Sequence, residues 1–406
     1  MAKQACVPGE IEIRTVTING QRGSINLTEH LVTGSIFESI YQPGTLAEFV
    51  VRDTIGLSEM LPLAGDEMLI VQFSTPSLET RRYEFQVNAM QGMSPQKSLK
   101  TRSYALKCCS KEVRDHKKAI VSKAYNTNIS TIIQDIVSAH LGGKNVSVQQ
   151  TKGIQKIIIP SLKPFKAIDM VRRRAVSVSD KSSTFLFFEN KDGYHFKTIE
   201  HLMSSSSAIR QYENRATINT SIFPSRFTNI IAWNVPQQHA SMDRIGRGGF
   251  NNEIQRFDFK TLKYKHTATK VALEGFKSAD GSFRDMIGGA FKSIVSQKPA
   301  AQHFIPEDSN YPKTHIPETT SDQKGYAAAA AQGSIMLHVN GDSELTVGQK
   351  INCNIFETQG GNADGRLSEQ LSGNYLIAKL RHMIGPPGAR PRYTCSIEGL
   401  KVGAKG

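Results

Sequence analysis

Residue types that could do chemistry are abundant in this chain, but their spacing does not assemble them into a known reaction centre. The five cysteines, Cys6, Cys108, Cys109, Cys353 and Cys395, contain no C-x-x-C pair. None has a Cys or His partner at zinc-finger distance, so neither a disulfide framework nor structural zinc is expected. The eleven histidines are dispersed. His195 and His201 near Asp192 and Glu200 could in principle ligate a metal or move a proton, but they read more simply as hairpin and surface residues. Gly246-Arg247-Gly248-Gly249 has the glycine content of a phosphate cradle, yet it neither follows a clear strand nor opens a clear helix, and it reads as a turn. No H-E-x-x-H, G-x-S-x-G or G-x-x-x-x-G-K-[ST] pattern occurs. A glycosidase pair of carboxylates needs no proximity in sequence, and nothing points to one. The expectation is no catalytic residue, no metal, no cofactor and no enzyme activity.

Composition narrows the alternatives. With 406 residues the chain exceeds one ordinary domain, and 39% hydrophobic with 21% charged residues is a balance that folds in water. No apolar run approaches the roughly 18 residues of a membrane helix, and Met1 to Glu10 lacks the basic-then-apolar pattern of a secretory signal, so a cytoplasmic origin without membrane insertion is expected. Fifty Lys and Arg against 36 Asp and Glu give a net charge of +14. Gathered on one face, this charge would favour nucleic acid and a steep salt dependence of binding. It is instead scattered, and its densest spot, Arg172 to Arg174, reads as a solvated or partner-facing helix edge.

The elements that must carry these residues follow from periodicity. Ile11 to Ile18, Glu48 to Arg52, Glu67 to Phe73, Arg82 to Met90 and Arg102 to Cys109 alternate as strands, with Asn19-Gly20 as a turn, so residues 1–112 form an all-β unit. The period then lengthens to 3.6. Ile129, Ile132, Ile133, Ile136, Val137 and Leu141 define a helix capped by Thr127 or Asn128 and stopped at Gly142-Gly143. After a short strand, Ile157 to Ile159, a second helix carries Phe165, Ile168, Val171 and Ala175, followed by a hairpin of Thr184 to Glu189 and Tyr194 to Thr198. Residues 113–205 are thus a small α+β unit. A strand over Thr228 to Trp233 precedes a segment, residues 246–324, where periodicity fades and which reads as an irregular insertion or loop-rich arm. Ala327 to Ala331 read as the end of a helix stopped by Gly333, and strands return at Ser334 to Val339, Lys350 to Phe356, Asn374 to Ile384 and Arg392 to Ile397. Residues 206–245 and 325–406 form the second β unit.

The two β units repeat one another. Leu63 to Phe73 overlays Thr346 to Phe356 with Gly65 on Gly348 and Phe73 on Phe356, which sets Met68 and Ile70 on Ile351 and Cys353. Both copies continue through strands ending Met90-Gln91-Gly92 and Met383-Ile384-Gly385. Both close on alternating strands, Tyr104, Leu106, Cys108 and Tyr393, Cys395, Ile397. In this alignment the opposite face carries Leu69, Val71 and Phe73 in the first copy, and Asn352, Asn354 and Phe356 in the second. A strand apolar on both faces is covered on both, either by the chain itself or by a neighbouring subunit. These six residues are the candidate oligomer interface.

The stretch Pro164-Phe165-Lys166-Ala167-Ile168-Asp169-Met170-Val171-Arg172-Arg173-Arg174-Ala175, followed by Thr184-Phe185-Leu186-Phe187-Phe188-Glu189-Asn190-Lys191-Asp192-Gly193-Tyr194-His195-Phe196, resembles the helix and aromatic hairpin of the baseplate hub family of contractile phage tails. That family includes late control protein D and the N-terminal part of type VI secretion spike proteins. The resemblance covers roughly residues 10–245 and 325–402. It departs from the family at Lys163-Pro164, where an acidic or small polar lead is usual, and at the three consecutive arginines. It implies an α+β, mostly β fold: two similar tube-like β-barrels flanking a small α+β domain, with an inserted irregular segment.

The function implied is that of a structural baseplate hub, a homotrimeric pseudo-hexameric ring adapting a hexameric tail tube to a trimeric central spike. The implied partners are the tail tube protein, the spike, baseplate wedge proteins and a tape measure protein, with DNA passing through the lumen without specific binding. The implied place is the tail baseplate of a virion, assembled in the host cytoplasm. Because the sequence stops at Gly406 after the last strand, the spike is expected to be a separate polypeptide. The competing readings are the hub part of a type VI secretion or tailocin spike, a basic nucleic-acid-binding protein, and a cell-wall hydrolase confined to residues 246–324.

Overall fold

Period-two alternation over most of the chain dictates a β architecture. The computed structural model describes residues 8–21, 23–54, 56, 65–76, 78–95, 101–204, 207–214, 227–236, 251–258, 261–270, 301–307, 334–356, 367–368, 371–389 and 391–401. The first seven strands are β1 (Glu12–Gly20), β2 (Gly23–Asn26), β3 (Leu31–Ser39), β4 (Leu46–Asp53), β5 (Met68–Ser74), β6 (Arg81–Pro95) and β7 (Arg102–Ser110). The α+β part contains α1 (Lys111–Lys118), β8 (Val121–Thr127), α2 (Ile129–His140), β9 (Val146–Val148), β10 (Gln155–Leu162), α3 (Pro164–Arg172), β11 (Phe185–Asn190), β12 (Gly193–Thr198) and α4 (Ile199–Ser204). There follow β13 (Arg210–Asn214), β14 (Ile230–Asn234), β15 (Asn251–Asp258), β16 (Lys263–Lys270), β17 (Ala301–Glu307), β18 (Ser334–Asn340), β19 (Lys350–Ile355), β20 (Gly373–Ile384) and β21 (Tyr393–Lys401).

One 13-stranded sheet runs through both β units, in the order β14-β18-β21-β20-β3-β4-β7-β6-β5-β1-β2, with β19 pairing β20 and β13 pairing β19. Read as two halves, the order β5-β6-β7-β4-β3 is repeated as β19-β20-β21-β18-β14, while the flanking strands differ, β1 pairing β5 antiparallel and β13 pairing β19 parallel. Two of the ladder irregularities repeat as well, whereas those at Ile13/Thr15 and Gln91/Ser94 belong to the first copy alone among the described residues. The β3–β4 ladder slips between Leu31 and Thr33, and the β14–β18 ladder between Ile230 and Ala232. The β6–β7 ladder slips between Val87 and Ala89, and the β20–β21 ladder between Ile377 and Lys379. Bulges re-aim a strand at defined places, so their coincidence marks the halves as copies of one fold. The second copy comes back on itself: Glu213 bridges Asn229, and the Glu213 N–H donates to Thr228 O at 3.0 Å.

The strand β3 escapes the sequence reading because Gly34, Ser35 and Ser39 dilute its alternation. Gly34 is there for space, since a Cβ would lie 2.9 Å from the Phe49 ring.

The α+β part has its own core, built from Ile132, Ile133, Ile136 and Val137 of α2, Ala167, Ile168 and Val171 of α3, and Phe185, Phe187, Tyr194 and Phe196 of the β11–β12 hairpin. Asn128 is the cap of α2, its side chain accepting from Thr131 N at 3.0 Å. The alternate hairpin residues Leu186 and Phe188 point the other way, into the core shared by the β units. The hairpin is therefore a wall between two cores, which is why its sequence is apolar on both faces.

In the segment 246–324, the described residues include a three-stranded sheet, β16-β15-β17. Its strands, such as Lys263–Lys270 (KYKHTATK), are too polar to show an alternating pattern. The Gly246 to Gly249 turn and the helix end at Ala327 to Ala331 lie outside the described residues.

Candidate assembly site

The two β units meet where β20 changes partners. Its first residues pair with β19, Cys353 opposite Gly373 through Lys350 opposite Leu376. Beyond the bulge, the same edge pairs with β3 of the other unit, from Ser39 opposite Lys379 to Gly34 opposite Ile384. A strand long enough to serve two neighbours thus joins the units edge to edge.

Beneath this junction lies a buried polar cluster. Arg81 from β6 donates from Nη1 to Glu38 Oε1 at 3.2 Å, to the Tyr83 hydroxyl at 2.5 Å and to His382 Nε2 at 2.7 Å. Tyr83 donates to the same Glu38 oxygen at 2.8 Å. The other Glu38 oxygen accepts from Thr346 Oγ1 at 2.6 Å and from Val347 N at 3.2 Å, both in the second unit. Burial acts to lower the Arg81 pKa, but the neighbouring Tyr83 and Glu38 outweigh it and raise the value, so the guanidinium stays charged. Burial, reinforced by Arg81, holds His382 well below the usual histidine range. His382 is consequently neutral: its Nε2 accepts from Arg81 and its Nδ1–H faces the Tyr393 hydroxyl at 2.7 Å. A cluster so enclosed by the chain fixes the relative placement of two sheets; it offers no surface to a substrate.

The other chemistry-bearing residues are equally committed to structure. Cys353 and Cys395 are free and buried, and burial pushes both thiols up to about 12, so neither is a thiolate at neutral pH. His195 is held at about 4 by burial and by Lys197, and its Nε2 lies 2.7 Å from Asn190 Oδ1. His201 contributes its backbone N–H to Thr198 Oγ1 at 3.1 Å. No group of three or more His, Cys, Asp or Glu that could hold a metal exists among the described residues. Arg172 and Arg173 pair with Asp169 at 2.5 and 2.7 Å, and Arg172 also donates to Phe185 O, which ties this basic run to the helix that carries it.

The candidate interface residues need a correction of register. Leu69, Val71 and Phe73 are buried in the chain's own core, and Met68, Ile70 and Gln72 form the outer face of β5. In the ladders, Met68 opposes Gln86 and Lys350 opposes Leu376, each one residue before its copy's bulge. Met68 is therefore the counterpart of Lys350, and Leu69, Val71 and Phe73 are the counterparts of Ile351, Cys353 and Ile355. Aligning Gly65 with Gly348 displaced the copies by one residue, and a one-residue slip moves every side chain to the other face. The closing strands are displaced by two: Tyr104 corresponds to Cys395, not to Tyr393. Asn352, Asn354 and Phe356 do lie half-exposed on the outer side. There Asn352 donates to Asn374 Oδ1 at 2.9 Å and Asn354 to Glu213 Oε1 at 3.4 Å.

No protein-family model matches this chain, and no curated protein matches it. Solved structures do. The tail protein from Neisseria meningitidis MC58 superposes with a TM-score of 0.58 at 9% identity, over 95% of this chain and 96% of that one. The 43 kDa tail protein of prophage MuSo2 from Shewanella oneidensis superposes with a TM-score of 0.56 at 9% identity, over 95% of this chain and 98% of that one. The likeness spans both β units and the α+β part together, and it gives the chain the mostly β fold of these tail proteins, in keeping with the fold that the helix-and-hairpin resemblance implied.

Proposed function

We propose that this chain is a structural subunit of a phage-type tail baseplate, a hub that closes into a homotrimeric ring of six similar β units around a central opening. The carrying observation is the duplication itself: two copies of one five-strand order, with two bulges at matching positions, joined edge to edge in a chain whose fold is similar to that of phage tail proteins. A duplicated unit repeated three times would present six similar surfaces on one side and three on the other, which suits a junction between a hexameric tube and a trimeric spike. Burial of Cys108, Cys109, Cys353 and Cys395, of His382 and of the Arg81–Glu38 pair supports a structural role over a catalytic one. The tail tube and the spike would be its partners, with baseplate wedge proteins and a tape measure protein as further ones, and the virion baseplate would be its place.

Negative-stain electron microscopy of the purified chain at micromolar concentration tests the reading. Threefold class averages with a near-sixfold outline and an open centre are expected. Averages of compact single chains at every concentration would overturn it.

A further inference from the structure

Helices α1 and α3 meet end to end, and each closes the end of the other. Pro164, the first residue of α3, has no N–H, and Lys163 before it supplies no side-chain cap. The first free donor of α3 is therefore the Phe165 N–H. It donates at 3.1 Å to Nδ1 of His116, in the last turn of α1. In return the Lys163 ammonium donates at 2.7 Å to the backbone carbonyl of Lys117, at the C-terminal end of α1. The His116 ring also stacks on the Phe165 ring, with centroids 4.3 Å apart and planes inclined by 16°.

No residue of α1 is buried, so polar contacts hold it in place. In its N-terminal half, Arg114 donates to Gln86 Oε1 of β6 at 2.8 Å and Glu112 pairs with Lys144 at 3.5 Å. The exchange with α3 holds its C-terminal half, and that exchange exists in one protonation state. Facing an N–H, Nδ1 of His116 must keep its lone pair, so the ring is neutral with its proton on Nε2. A protonated Nδ1 sets donor against donor at the positive end of a helix. The charged neighbours act in the same direction: Lys117 on α1, Lys163 ahead of α3 and Lys166 on α3 all oppose a further positive charge. Asp115, the nearby carboxylate on α1, is engaged by Arg114 at 3.4 Å. From the hairpin, Phe187 and Tyr194 approach the Phe165 ring, and burial pushes the Tyr194 phenol up, so it stays neutral.

We propose that His116 is an acid-sensitive latch: neutral, it holds the C-terminal half of α1 on α3, and protonated, it lets that half and the link into β8 come away. The α+β part itself stays seated, because Leu186 and Phe188 of its hairpin lie in the core of the β units. Opening is confined to the connection by which the first β unit runs into the α+β part, and it uncovers the face of the Phe165 ring. Burial first, then Lys163, Lys117 and Lys166, lower the pKa of the docked ring from the ordinary 6.5, to which a released ring returns. The latch is therefore fully closed above about pH 6.5 and weakens as pH falls below it.

The test is hydrogen exchange of the full chain, read by peptide mass spectrometry at about pH 7.5 and about pH 5.5, either side of the ordinary histidine value, and corrected for the chemical rate at each. Acidification is expected to lower the protection of peptides covering Lys111 to Ile120 and Phe165 to Ala167 by up to about tenfold per pH unit below 6.5, while β20 keeps its own. His116→Ala, checked for folding by circular dichroism, is expected to expose the same two segments at both pH values. His116→Gln, whose amide oxygen accepts without titrating, is expected to abolish the pH response. Wild-type protection that is equal at both pH values would overturn the latch, as would full protection of both segments in His116→Ala at the higher pH. Loss of protection in β20 together with α1 would mean global acid unfolding and would overturn it too.

Discussion

Glu38 of the first β unit accepts the hydroxyl proton of Thr346 in the second at 2.6 Å, across 308 residues of sequence. Its other oxygen holds Arg81, whose side chain is 5% exposed. The carboxylate thus satisfies one buried charge and fastens two sheets with the same two atoms.

Replacing one partner strands the other charge in the core. Glu38→Gln is expected to lower stability by about 3–5 kcal/mol, and Glu38→Gln with Arg81→Met to recover much of it, because the cost of a broken buried pair is the ion left behind. Urea unfolding of the two variants checks this, and a double variant no more stable than Glu38→Gln would contradict it.

The register of β5 makes opposite forecasts for adjacent residues. Leu69→Ala is expected to cost about 2–5 kcal/mol, and Leu69→Asp to abolish folding, since Leu69 lies in the core. Ile70→Asp, on the outer face, is expected to leave a folded chain. Soluble yield and circular dichroism separate the cases.

Acid should weaken the fold through its neutral histidines. The folded pKa of His382 lies well below 6.5 and that of His195 at about 4. As pH falls below about 6.5, the unfolded chain takes up protons that the folded chain refuses. Stability present above that pH is therefore lost on acidification, by up to about 1.4 kcal/mol per pH unit for each such histidine. For His195 the window runs from 6.5 down to about 4. Urea midpoints followed from neutral pH downward should fall, and His195→Gln should flatten the slope whatever it does to the absolute value.

Gly341 leaves no room for a side chain, because a Cβ there would lie 2.0 Å from the Tyr393 ring. Gly341→Ala is expected to cost about 1–3 kcal/mol through overpacking. Gly388→Ala meets nothing within 4 Å but sits at φ +87, so its cost is backbone strain alone. Thermal unfolding of the pair distinguishes crowding from strain.

Periodicity made the hydrophobic elements legible. The α2 helix with its Asn128 cap, the aromatic hairpin and the strands β5, β19, β20 and β21 all announce themselves by residue spacing, and so does the duplication that relates the β units. What stayed hidden was set by tertiary context. The helix Lys111–Lys118 has no buried residue and hence no apolar stripe. Strand β13, Arg210–Asn214, buries only Tyr212, too little to show alternation. Matching Gly65 to Gly348 misplaces the face of β5 by one residue, because only pairing partners fix register to one residue. The Glu38–Arg81–His382 cluster had no local signal at all, its members coming from β3, β6 and β20.

The same sharing of β20 has a consequence in time. Ser35 and Arg381, in contact across the junction, are 346 residues apart, and synthesis at about 5–20 residues per second puts tens of seconds between the emergence of β3 and of its partner strand. Throughout that interval the edge of β3 is open and the first unit lacks the strand that seals it, which makes the nascent chain a client for whatever shields hydrophobic edges at the ribosome. Contacts of such long range also make folding slow. An N-terminal fragment ending before β20 would remain in that unsealed state, so the first unit, although made first, waits for a strand of the second.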